Sequence, residues 1–283
     1  MNDKKKEPLF HIVKRDALPW YQSVGIRAIA IVLALIVCAV VTMILTGTNP
    51  IQVFQSIIAG AFGSARKTWI TFQNIAILLL ISLALTPAFK MKFWNIGGEG
   101  QVLIGGLASA ACMICLAEKL PAALVVVCMI VTSIAAGAFW AFIPAFFKAK
   151  WNTNETLSTL MMNYIATQLV AFFTIVWEVP KGSGKIGIIN QNSNVGWLPQ
   201  AFGSKYLLSI LVAVLITVFM YIYLKYSKHG YEISVVGESE NTAKYVGIKV
   251  EKVIMRTMAL SGAVCGLVGL LLVGGINHTI TTT

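Results

Sequence analysis

Long, uninterrupted apolar runs constrain this chain more than anything else in it. Several exceed about 18 residues, enough for one helix to cross a hydrocarbon core roughly 30 Å thick. Seven spans are read from them, at 24–46, 69–88, 100–117, 121–147, 156–178, 206–225 and 256–276. Backbone inside a bilayer must satisfy its own hydrogen bonds, so such runs become helices. The fold class is therefore all-α, a polytopic helical membrane protein. Composition agrees: 57% of the residues are hydrophobic and only 12% charged, against about a quarter charged in soluble domains. No soluble linker or low-complexity segment divides the 283 residues, which gives a polar tail over 1–23 and one membrane domain over 24–283.

The start, "MNDKKKEPLFHIVKRDALPW", is basic and lacks a small-residue cleavage site, so it reads as a retained tail rather than a signal peptide. With this tail in the cytoplasm, 16 Lys and Arg fall on the inner side and 6 on the outer. That asymmetry is the one expected of membrane proteins. It also accounts for the net charge of +11 without nucleic acid, since no basic patch is interleaved with aromatics. The stretch 50–64, "PIQVFQSIIAGAFGS", has apolar residues at helical spacing. It reads as an interfacial amphipathic helix or the start of a broken span.

The polar residues inside this apolar frame are the functional candidates. "FWNIGGEGQVLIGG" (93–106) places Gly97, Gly98 and Gly100 beside Glu99. Each glycine weakens a helix by roughly 1 kcal/mol against alanine, and a carboxylate is expensive in lipid. The stretch is either a helix break lining a transport route or a tight turn between spans two and three. In "NTNETLSTLMMNYIATQ" (152–168), Glu155, Thr159, Asn163 and Thr167 recur every four residues. They form one helix face turned to other helices or to a polar cavity, and Asn154 is placed to cap the start. Within 225–256, Ser239 is placed to cap a short helix, Glu240 and Asn241 to fill its first turn, and Gly247 to end it in the left-handed conformation. A stub of two turns is stable only when packed on something, the parent bundle or a partner. In 261–275, Gly262, Gly266, Gly269 and Gly274 permit close helix approach.

Enzyme chemistry finds little support. The chain lacks G-x-x-x-x-G-K-[ST], H-E-x-x-H and G-x-S-x-G. The three histidines are scattered. Cys112 and Cys115 form a C-x-x-C without a second pair or a nearby histidine, so the cysteines read as small apolar residues, not as a metal or redox site. No cofactor is expected.

"FWNIGGEGQVLIGG", "NETLSTLMMNYIA" and "VGESENTAKYVGIKVEK…MALSGAVCGLVG", in that order, resemble ABC-importer permeases of the branched-chain amino acid and simple-sugar class. The "NIGGEGQ" form is similar to the nucleoside subgroup of that class, often labelled as simple-sugar permeases. The resemblance implies a non-catalytic transport subunit in the cell membrane of a bacterium. Its implied partners are a cytoplasmic ATP-binding subunit, a second homologous permease and an extracytoplasmic substrate-binding lipoprotein. The stub at 239–247 would be the coupling helix docking on the ATPase, with Glu238 and Glu240 at the dock, Ala243 and Val246 packing into it and Gly247 closing it. Asn74, Asn95, Glu99, Gln101, Asn163 and Gln168 are the pathway candidates. Asn and Gln both donate and accept hydrogen bonds, which suits the hydroxyls and base edges of a nucleoside. Members of the class continue past the point where this chain stops, so it is expected to be incomplete at its C-terminus and under-packed over 256–283. The competing readings are an ion-coupled secondary transporter, which needs paired intramembrane acids or bases, and a membrane scaffold without transport.

Overall fold

The computed structural model describes residues 19–201 and 203–281. Most of the basic N-terminal tail lies outside the described residues. Among them are α1 (Trp20–Thr46), α2 (Pro50–Phe62), α3 (Ala65–Lys90), α4 (Gly98–Leu116), α5 (Ala122–Trp151), α6 (Glu155–Val176), α7 (Leu207–Tyr226), α8 (Lys228–Glu238), α9 (Glu240–Tyr245) and α10 (Val250–Leu270), and Leu271–Asn277 continue α10 as a π-helix. Seven of these helices are long and apolar enough to cross a membrane, and they coincide with the seven sequence-read spans.

The ends differ where polar residues disguise helix. α10 starts at Val250 rather than 256 because Glu251, Lys252 and Arg256 lie in its first two turns, where charged side chains reach water. The short α8 is not anticipated by the sequence reading. Ser227 caps it by accepting from the Gly230 amide at 3.0 Å, and Ile233 and Val236 bury its inner side.

The chain divides into two compact units between Lys67 and Thr68. In the first, Pro19 precedes α1, and Gly47, at φ 65°, ends it. Asn49 caps α2 by accepting from the Ile51 amide, with Pro50 in the first turn, where its missing N–H is harmless. Neither α1 nor α2 buries a single residue. At 13 residues, α2 is a complete helix too short to span the bilayer.

The second unit is built on α4, α5 and α10. Glycines let these three backbones nearly touch. A Cβ on Gly266 would collide with the Ser133 carbonyl of α5, and one on Gly105 of α4 would run into Gly266 itself. Without a hydrophobic drive between helices in lipid, such close van der Waals contact is what holds them. The expectation of an under-packed C-terminal region is therefore wrong. α10 and its π-extension form the most buried span, with Thr257, Met258, Ser261, Cys265 and Val268 fully buried. Small residues make this possible, since they admit three neighbours around one helix. α3 packs through Ala76, Ile77 and Leu80 on Val268, Leu271 and Ala213 of α7. α6 lies on α4, with Ala166 and Val170 fully buried. Outward faces of α1, α3, α5, α6 and α7 carry exposed large apolar side chains, as lipid contact requires, whereas α4 and α10 carry none.

Candidate functional site

Between α3 and α4 the chain leaves the helix over Met91–Gly97. The break costs backbone hydrogen bonds, and side chains restore them. Asn95, fully buried, accepts from the Gly97 amide at 3.0 Å and from Gln101 Nε2 at 3.2 Å, and donates to Ser261 Oγ at 3.3 Å. From α6, Thr159 Oγ1 accepts from the Ile96 amide at 3.2 Å. Asn163 accepts from the Gly100 amide at 2.9 Å and donates to the Ile96 carbonyl at 2.9 Å. Gly100 must be glycine because a Cβ there would stand 2.8 Å from Asn163 Oδ1. The glycine-rich break and the α6 polar stripe thus form one object: α6 clamps the entry to α4.

The pathway candidates divide accordingly. Asn95, Gln101 and Asn163 converge on this clamp, all at 7% exposure or less. Thr159, present in the stripe, and Ser261 complete it. Asn74 does not join them; it is exposed, and its neighbour Gln73 turns inward instead, with a buried Nε2 that lacks a partner. Gln168 is exposed too. Thr167 continues the stripe and donates to the Asn163 carbonyl; Gln168 sits one residue, about 100°, further round the helix. Gln101 keeps an unpartnered, buried Oε1.

Glu99 points away from the clamp. It lines a cavity of about 300 Å³ together with Ile81 of α3, Val102 and Leu103 of α4, and Leu272, Asn277, Thr279 and Thr281. Ile280 is 4% exposed and packs with Leu107, Ala110 and Val170. The non-helical segment after the π-helix therefore lies at the depth of mid-α4. Its far side borders a second cavity of about 600 Å³ against α6 and Lys185–Ile188. The segment is anchored at His278, whose ring stacks on Trp197 at 3.8 Å and whose carbonyl accepts from Ile189. In the adjoining loop, the Gly182 and Gly184 amides donate to both oxygens of the Glu178 carboxylate and hold it below the usual glutamate range.

At the α8–α9 junction a third cavity, of about 210 Å³, gathers Lys92, Lys148, Glu155, Glu238, Ser239 and Glu240. Lys148 and Glu155 pair at 3.0 Å, so Glu155 is neutralised at the foot of α6. Ser239 caps α9 through the Thr242 amide. Gly247, at φ 79°, ends it, with the Ile248 amide donating to the Ala243 carbonyl and the Gly247 amide to that of Lys244. This is the paired closure of a Schellman motif. Ala243, expected to pack into a partner, is fully buried among Phe93, Ala145, Ile233 and Ile254 of its own chain. Tyr245 and Val246 form the exposed face instead, at 94% and 64%. Among the described residues, no cluster of three or more His, Cys, Asp or Glu is placed to hold a metal ion.

Residues 68–281 match the family described as branched-chain amino acid transport system, permease component; the match starts where the second compact unit does. The chain is 33% identical over 244 residues to a guanosine ABC transporter permease of Bacillus subtilis, covering 85% of this chain and 69% of the relative. It is 28% identical to a nucleoside ABC transporter permease of Lactococcus lactis, covering 88% and 70%. It is 26% identical to a glucose ABC transporter permease of Haloferax volcanii, covering 92% and 70%. No solved structure gives a significant match.

Proposed function

The chain belongs to the branched-chain amino acid transport system permease family, and we propose that it is the membrane subunit of an ATP-driven importer of nucleosides or a related simple sugar. The likeness to guanosine and nucleoside permeases over more than four-fifths of the chain carries this reading. ATP hydrolysis belongs to a cytoplasmic ATP-binding partner, a reading supported by the likeness to ABC transporter permeases. A second homologous permease and an extracytoplasmic substrate-binding lipoprotein complete the assembly in a bacterial cell membrane. The Lys and Arg distribution favours a cytoplasmic N-terminus, with the tail over 1–23 ahead of the permease domain. That orientation puts α9 on the ATPase side.

The dock on the ATPase is the exposed face of Tyr245 and Val246, flanked by Glu238 and Glu240, with Gly247 shaping the exit. Ala243 supports this face from behind by anchoring α9 to the bundle. The clamp of Asn95, Gln101, Thr159 and Asn163 holds the α3–α4 break open as the wall of the route rather than meeting the solute directly.

Uptake of radiolabelled nucleoside by cells carrying the complete assembly tests this. Uptake is expected to survive a protonophore while ATP is maintained and to vanish when the ATPase is inactivated. Val246→Asp is expected to keep membrane insertion but lose ATPase co-purification. Uptake that collapses with the proton gradient at constant ATP would instead identify an ion-coupled carrier.

A further inference from the structure

The cavity lined by Glu99 is built unlike the rest of the molecule. Backbone outside a helix at membrane depth must be buried in protein or face water. The non-helical segment 278–281 does both: Ile280 is buried in the core, and Thr279 and Thr281 line cavities. The first cavity has apolar walls of Ile81, Val102, Leu103 and Leu272, and a few polar groups that converge on it. That is the make-up of a small-molecule site, and its volume of about 300 Å³ falls at the lower end of such sites. Among the described residues, Glu99 is the single charged one that lines it, and no lysine, arginine or histidine does.

Resting on the importer reading above, we infer that this cavity is the solute site within the membrane and that Glu99 selects for a neutral solute bearing adjacent hydroxyl groups. An ionised carboxylate accepts through two oxygens and donates nothing. A vicinal diol offers two O–H donors at matching spacing, and charge-assisted bonds of this kind are the stronger ones. The apolar walls receive the flat face of a base or sugar ring. The Thr279 hydroxyl both donates and accepts, and so supplies a contact a base edge needs. A phosphorylated solute brings an anion into a cavity whose only charge is negative, and it is excluded. The same cavity therefore separates nucleosides from nucleotides without any cationic residue. The second cavity, against Thr174 and Lys185 across the Thr279–Thr281 segment, is the adjoining chamber of the route.

The test uses the complete transporter in proteoliposomes with a ribonucleoside, its 2′,3′-dideoxy analogue and its 5′-monophosphate. Wild type is expected to prefer the ribonucleoside over the dideoxy analogue by about tenfold or more and to reject the monophosphate. Glu99→Gln is expected to raise the KM for the ribonucleoside by about tenfold, leave the dideoxy analogue nearly unchanged, and so collapse the discrimination. Thr279→Cys, in a background lacking the native cysteines, is expected to react with a small polar thiol reagent and to be protected by the ribonucleoside. Unchanged discrimination in Glu99→Gln overturns the assignment of Glu99. If Glu99→Gln fails to assemble, labelling decides: Thr279→Cys that reacts equally with and without nucleoside overturns the site. Absence of nucleoside and sugar uptake by the wild-type assembly overturns the importer reading instead, and the two failures are thereby told apart.

Discussion

Asn163 shows how a single polar side chain sets local structure here. Its two bonds tie α6 to the Ile96 carbonyl in the break and to the Gly100 amide in the first turn of α4. Asn163→Leu keeps the volume and removes both bonds. Leaving buried backbone groups unpaired costs about 1–3 kcal/mol each, so the variant is expected to lose roughly 2–5 kcal/mol and most of its uptake. Thermal unfolding in detergent, followed by loss of monodisperse protein, measures the first; an unshifted midpoint would mean that the clamp contributes nothing. The sequence exposed Asn163, Asn95 and Gln101 because a polar residue in an apolar run must find a partner. It did not separate Asn74 and Gln168, which lie outside the clamp, from these three, because polarity gives no phase. In α3 the buried set is Gln73, Ala76, Ile77, Leu80, Ala84, Pro87 and Ala88, and in a helix rich in Leu and Ile on all sides the inward face is fixed by the neighbours.

At the scale of elements, the α4–α5–α10 contact depends on the absence of side chains. Gly266 of α10 faces Gly105 of α4 on one side and Ser133 and Gly137 of α5 on the other. Gly266→Ala would normally favour a helix by about 1 kcal/mol. Here the new methyl meets backbone that cannot rotate away, and overpacking of this kind costs about 1–3 kcal/mol or more. The variant is expected to be less stable than wild type, and Gly266→Leu to fail to accumulate in the membrane. Equal melting of Gly266→Ala and wild type would show that the helices separate without penalty. The small-residue pattern was legible as a packing signal, yet its consequence was not. Which helices it joins depends on topology, so the same glycines that announced close approach did not announce that α10 is the central span. α9 teaches the complementary lesson. Ser239 and Gly247 marked both of its ends, because caps are local chemistry. Which of Ala243 and Val246 faces the bundle is set by α8 and by Phe93, far away in sequence.

For the whole molecule, span count came from composition, whereas the exact span ends and the distribution of the core did not. Every buried residue among those described lies at Gln73 or beyond, and α1 and α2 contribute none. The family match likewise begins at residue 68. Hydropathy ranks α1 highest of all the spans although it buries nothing, whereas α4, among the lowest, is half buried and α10, the most buried, stands only in the middle. The reason is physical: lipid rewards apolar surface as well as a protein interior does, so hydrophobicity marks what leaves water and not what enters the core. A cut in the turn between α2 and α3, just ahead of the unit boundary, should therefore leave the second unit's stability intact. With a protease site inserted between Gly63 and Ser64, nicking of the purified protein is expected to move its melting midpoint by no more than about 4 °C, the shift of about 1 kcal/mol in a domain of this size. Leu80→Ala, which empties a fully buried position in α3, is expected to cost about 2–5 kcal/mol in the same assay. A nicked protein that melts as early as Leu80→Ala would show that the second unit's stability depends on chain continuity with the first, against this expectation.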